Sequence, residues 1–170
     1  MSYSKHALTY LSDKVSASFQ ALTEDYDEFS SFLSGITEHN KIYVFGGWVR
    51  DIIHSEFHNR VIFNDLDLIV DGELDSLKPK KQSEFGGYQL KFPPKLKVDI
   101  WELDDSYVFR KEIFDPSINN LLRSTVFDVN SILYDISKEK LLDFRAISAI
   151  KAKTISFNCT AYVKDFPELQ

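Results

Sequence analysis

The chain has 170 residues, 44% of them hydrophobic and 14% aromatic, enough to fill one core and too apolar for a disordered or low-complexity segment. A formal charge of −6 argues against nonspecific coating of nucleic acid while leaving room for a local basic patch. No uncharged apolar run approaches the roughly 18 residues that span a bilayer, the first residues lack a signal-peptide pattern, and the single Cys159 excludes an internal disulfide and a Cys-rich zinc site. A soluble protein of a reducing compartment, the cytoplasm, with no membrane partner, is expected.

From Leu8 to Ile36 the apolar residues fall at Leu8, Leu11, Val15, Phe19, Leu22, Tyr26, Phe29, Leu33 and Ile36. Steps of three and four place them on one stripe, predicting a helix or helical pair packed on a sheet. Ser12-Asp13 or Thr23-Glu24 offers the start of a second helix, and Gly35 suits a C-terminal stop. Lys41 to Phe45 is a β-branched and aromatic run ended by Gly46-Gly47, which predicts a buried strand. Trp48 to Phe57 is helical in character, so the order is strand, double-glycine turn, helix. Leu66 to Val70 reads as a second strand and the polar stretch Glu73 to Glu84 as a mobile loop. Tyr88 to Phe92 and Leu96 to Leu103 read as two strands turned at Phe92 to Lys95. Phe127 to Tyr134 and Leu141 to Phe144 read as a later pair turned at Ser137 to Lys140. Short segments at Ala146 to Ala152 and Tyr162 to Leu169 close the chain. The class is α/β or α+β, one mixed sheet flanked by helices.

Three carboxylates stand out: Asp65 and Asp67 in Asn64-Asp65-Leu66-Asp67-Leu68-Ile69-Val70, and Asp99 in Val98-Asp99-Ile100-Trp101. With a strand period of two, Asp65 and Asp67 point to one face and Leu66 and Leu68 to the other. Two such carboxylates repel and are costly to bury without a cation between them. Magnesium, a hard ion that takes oxygen ligands, suits the pair. With Asp99 as a third ligand the set describes a two-metal phosphoryl-transfer site. The plainer alternative has Asp65 capping a loop, Asp67 facing solvent and Asp99 on a sheet edge. Glycines between a strand and a helix let a phosphate approach backbone amides at the positive helix end, and Arg50 in the first turn can reach a phosphate or pair with Asp51 or Asp65.

Gly-Gly-Trp-Val-Arg-Asp at Gly46 to Asp51, followed by Asn64 to Val70, resembles the head domain of the poly(A) polymerase and CCA-adding tRNA nucleotidyltransferase family over roughly residues 40 to 145. The resemblance implies the nucleotidyltransferase fold in a head domain at 39–170, behind an N-terminal helical segment at 1–38. It implies transfer of a nucleoside monophosphate from an NTP to an RNA, tRNA-like, 3′ hydroxyl with release of pyrophosphate. By carry-over Asp65, Asp67 and Asp99 are catalytic and bind Mg2+ or Mn2+, with Asp99 helping to activate the acceptor hydroxyl. Gly46 and Gly47 cradle the triphosphate of the NTP, Arg50 and Asp51 fix that turn, and Asn130 borders the nucleotide.

Phe127 to Tyr134 resembles the family's Arg-Arg-Asp-Phe-Thr-Ile-Asn-Ala segment at Phe127, Asn130 and Ile132-Leu133. Ser124-Thr125-Val126 stands where the family has Arg-Arg-Asp, and Asp128 replaces Thr. The chain ends soon after the head, so a minimal enzyme, a fragment, or a subunit whose partner protein supplies acceptor binding is expected. Two further readings stay open: nucleotidylation of a protein or small molecule, and a non-catalytic nucleotide-binding module. His54 and His58 at i, i+4 suit zinc less well than an ordinary helix face. Lys78, Lys80 and Lys81, with Lys95 and Lys97, form either a phosphate-tracking patch or a solvated loop. Trp48 is expected to pack its helix on the sheet, Trp101 to fill the core, and Cys159 to be a buried small residue.

Overall fold

The structure is a computed structural model that describes residues 5–58, 65–74 and 87–160. The expected loop from position 75 onward, with its lysines, and the closing segment Tyr162 to Leu169 lie outside these residues. The apolar stripe forms two helices, α1 (Lys5–Asp25) and α2 (Asp27–Thr37), broken at Tyr26. Neither expected internal start is used. Ser12 Oγ donates to Leu8 O and Thr23 Oγ1 to Gln20 O, so both hydroxyls bond back inside the helix instead of capping a new one. Gly35 does not stop α2. Asn40 closes it instead, donating Nδ2 to Ile36 O at 2.9 Å and accepting from Glu73 N at 3.0 Å.

Among the described residues six strands form one sheet in the order β3-β4-β2-β1-β5-β6. They are β1 (Lys41–Phe45), β2 (Leu66–Asp71), β3 (Tyr88–Phe92), β4 (Leu96–Glu102), β5 (Ile132–Asp135) and β6 (Lys140–Asp143). Only the β2–β4 pair is parallel. Helix α3 (Gly47–His58) follows β1, and α6 (Ala146–Ala152) follows β6. Alternation puts Ile42, Val44, Leu66, Leu68, Val98 and Ile100 on one face, in the core formed with α1, α2, α3 and α6. Trp48 joins this core with its ring edge-on to Phe19, 6.1 Å between centroids, as the sequence led us to expect.

The opposite face carries a smaller cluster of Tyr43, Ile69 and Leu133. It is covered by two short helices the sequence reading did not anticipate, α4 (Tyr107–Arg110) and α5 (Ile118–Ser124). The second begins at Ser117, whose side chain accepts from Asn120 N, an ordinary N-cap. The expected long strand at Phe127 to Tyr134 is a strand only from Ile132. Asp128–Asn130 instead form a 3-10 turn, stabilised by Ser131 Oγ donating to Asp128 O at 2.6 Å.

Candidate active site

The parallel β2–β4 pair places Asp67 opposite Asp99 in register. Their carboxyl groups therefore leave the same sheet face, from strands about 4.8 Å apart. Gln89, opposite Asp99 on β3, donates Nε2 to Asp99 Oδ1 at 3.2 Å. On the other side Phe45 pairs with Asp67 in register, and the next residue is Gly46. The glycine turn thus begins one strand away from the carboxylate pair. Burial, then the charges of Asp99 and Asp65, push the Asp67 carboxyl from 3.8 up to about 7, against the opposing pull of Arg50. That is the signature of a half-buried carboxylate crowded by like charge.

Asp65 lies just before β2 and is exposed. The structure brings Asp67 and Asp99 together and leaves Asp65 at electrostatic range. No group of three His, Cys, Asp or Glu side chains among the described residues stands close enough to hold a metal ion. The donors are nevertheless all carboxylate oxygens, and one is destabilised as an anion by its neighbours. That chemistry suits a hard divalent cation such as Mg2+ or Mn2+ at the Asp67–Asp99 pair.

Gly46 takes the left-handed φ of 62° that glycine tolerates best. Its N–H donates to Ile132 O at 3.0 Å and its carbonyl accepts from Arg50 N at 2.9 Å. The Gly46 amide is thus committed to the fold, and Gly47 opens α3. Arg50 donates Nε to Asp51 Oδ1 and Nη1 to Asn130 Oδ1, both at 2.8 Å. The neighbours Arg50 and Asp51 and the distant Asn130 therefore form one bonded group beside the turn.

A cleft of about 560 Å³ opens beside the carboxylates. Asp67, Asp99 and Gln89 line one part, and Trp101, Tyr107, Val108 and Leu121 supply apolar walls. Trp101 is half-buried: it packs against the smaller cluster rather than the large core and also faces this cleft, since it is two residues from Asp99 and shares its face. Ser124, Thr125, Val126 and Asn130 also line the cleft. This wall is braced from behind by Asn158, whose Nδ2 bonds Leu122 O and Thr125 Oγ1, each at 3.0 Å. Asp128 is a brace as well, accepting from Ser156 N at 3.0 Å. Neither brace carries a sequence signal, because each acts through contacts about 30 residues away. His58 bonds Ile150 O at 2.9 Å, packing α3 against α6, and Cys159 is buried.

The sequence matches no protein-family model and no curated protein. The arrangement of elements does match solved structures. A CCA-adding enzyme complexed with CTP superposes at a TM-score of 0.58 and 21% identity, over 75% of this chain and 32% of that one. The Thermotoga maritima CCA-adding enzyme complexed with tRNA gives 0.56 at 21%, covering 75% and 31%. A tRNA nucleotidyltransferase complexed with a primer tRNA and an incoming ATP analogue gives 0.55 at 24%, covering 75% and 38%. The chain has the nucleotidyltransferase fold. The resemblance carried by the glycine turn and the Asp-x-Asp strand is thereby borne out at the level of the fold. This chain spans about a third of the length of these enzymes. No helix among the described residues is long and apolar enough to cross a membrane.

Proposed function

We propose that this chain is a metal-dependent nucleotidyltransferase that moves a nucleoside monophosphate from an NTP to a 3′ hydroxyl of a tRNA-like RNA and releases pyrophosphate. The observation that carries this reading is the in-register Asp67–Asp99 pair beside the cleft, one strand from the Gly46–Gly47 turn. The apolar walls of the cleft suit a nucleoside, and the start of α3 with Arg50 suits its phosphates. Enzymes of this fold solved with CTP and with tRNA support NTP and RNA as partners. In this reading residues 39–170 are the head domain, residues 1–38 are its helical segment, and a partner protein can supply further acceptor contacts.

The acceptor oxygen attacks the α-phosphorus, the bond to the β-bridging oxygen breaks, and its electron pair leaves with pyrophosphate. Asp99 takes up the hydroxyl proton, with Gln89 holding one of its oxygens in place. Arg50, held by Asp51 and Asn130, steadies the negative charge of the triphosphate. Asp67 and Asp99, with Asp65 beside them, would hold Mg2+ or Mn2+, which would neutralise the phosphate oxygens and acidify the hydroxyl.

The net acidity of the chain favours, as a second reading, a protein or small molecule as acceptor. Incubation with each labelled NTP, Mg2+ or Mn2+, total cell RNA and protein, beside an Asp65→Ala/Asp67→Ala control, tests both. Label on RNA that the control loses supports the first reading, and label on protein alone supports the second. No transfer to either leaves a nucleotide-binding module and overturns the catalytic proposal.

A further inference from the structure

Ser106 stands between the 3-10 turn Leu103–Asp105 and α4. At such an N-cap the hydroxyl ordinarily accepts from a backbone N–H two or three residues on. Here the N–H of Phe109 goes to the Ser106 carbonyl at 2.9 Å, and the side chain makes no capping bond. Ser106 is only 5% exposed, yet its Oγ has no hydrogen-bond partner. A buried hydroxyl left unbonded destabilises a fold, so alanine would serve α4 equally well.

The same residue lines the cleft, where the neighbouring neutral groups are already engaged. Ser124 Oγ donates to Leu121 O and Thr125 Oγ1 to Leu122 O and Phe127 O. Asn130 holds Arg50, and Gln89 holds Asp99. Tyr107 also has a partner of its own. Two buried side-chain oxygens among the described residues have no partner, Ser106 Oγ and Asn158 Oδ1, and of these only Ser106 belongs to a residue that lines the cleft. Trp101, Tyr107 and Val108, which line the cleft with it, offer it aromatic and apolar surface.

We infer that the Ser106 hydroxyl is a specificity contact for the nucleoside of the bound NTP, bonding a polar group of its base or its ribose. This rests on the nucleotidyltransferase reading and adds to it the residue that tells a nucleoside from a bare triphosphate. The same bond is what satisfies the orphaned hydroxyl.

The full chain and its Ser106→Ala variant, each with Mg2+, are titrated with the four NTPs, with the matching 2′-deoxy-NTPs and with inorganic triphosphate. Binding is read by calorimetry and by the fluorescence of Trp101, which lines the cleft. The variant is expected to melt at the same temperature as the parent or higher, because no bond within the fold is lost. Its affinity for triphosphate is unchanged, and its affinity for the preferred NTP falls about threefold to tenfold, the usual effect of one neutral hydrogen bond. If the deoxy form costs the parent the same factor and the variant nothing, the contact is to ribose. If the two losses multiply, it is to the base. A variant that melts lower, or binds the NTP as tightly as the parent, overturns the inference while the function stands. A parent chain that binds neither NTP nor triphosphate overturns both.

Discussion

Asp67→Asn tests the electrostatics of the site without touching its shape. The carboxyl is raised from 3.8 to about 7 in the folded chain, so the native state binds this proton more tightly than the unfolded state. The sign follows: its stability contribution is fully present in acid and is lost as pH climbs from the ordinary carboxylate range to about 7. At about 1.4 kcal/mol per pH unit the full shift corresponds to about 4 kcal/mol. Asp67 is half-buried beside an open cleft, so solvent screening reduces this to about 2 kcal/mol. The uncharged variant lacks that loss. In urea melts with EDTA, Asp67→Asn should match the parent near pH 4 and exceed it by about 2 kcal/mol at pH 8. Added Mg2+ should then raise the melting temperature of the parent and leave the variant unmoved. Parallel stability curves for the two proteins, or a variant weaker than the parent at pH 8, would refute the reasoning.

Three further substitutions bear on other parts of the fold. Asp135 is 1% exposed; burial alone would raise its carboxyl, but bonds from Ser137 Oγ and Lys138 hold it below the usual range. Asp135→Ala should cost about 2 kcal/mol at pH 7, with the gap closing as pH falls below about 4 and the parent loses the same bonds, checked by urea melts at both pH values. Gly72 has φ 153°, and a Cβ there would overlap Asn40 Oδ1. Gly72→Ala should lower stability by about 2 kcal/mol or more, read by thermal melting. Asn130→Ala removes the bond that Arg50 Nη1 donates and should weaken NTP binding several-fold by calorimetry while costing stability less than about 1 kcal/mol.

The parts of the chain that carry strong local patterns were legible from sequence. Lys41–Phe45 and Tyr88–Phe92 match the observed strands residue for residue, because alternation and flanking turn residues define them locally. Alternation also placed Asp67 on the face opposite Leu66 and Leu68. That Asp99 joins Asp67 was expected from the carboxylate chemistry and the family resemblance, but their direct pairing was not legible, since register between strands about 30 residues apart is set by tertiary packing. Helices α4 and α5, of four and seven residues, are too short to display a helical period. Without them the cleft and the isolation of Ser106 had no visible cause. The shortened strand before Ile132 has a local and a distant cause: Ser131 bonds the Asp128 carbonyl within the turn, and the Asp128 side chain accepts from Ser156, where Phe127 and Val129 favour a strand.

The sheet obeys a parity rule. From β1 to β5 the even-numbered residues, such as Val44, Leu68, Leu90, Ile100 and Tyr134, belong to the large core. Odd-numbered Phe45, Asp67, Gln89 and Asp99 line the cleft. Only β6 inverts the rule, with Leu141 opposite Tyr134. Strands β2 to β4 thus interleave a structural code with a chemical one, and Asp67, Gln89 and Asp99 can be rewritten while the structural letters stay the same. A single-residue deletion inside β2 would exchange the two alphabets beyond the cut, turning leucines toward the cleft and an aspartate into the core.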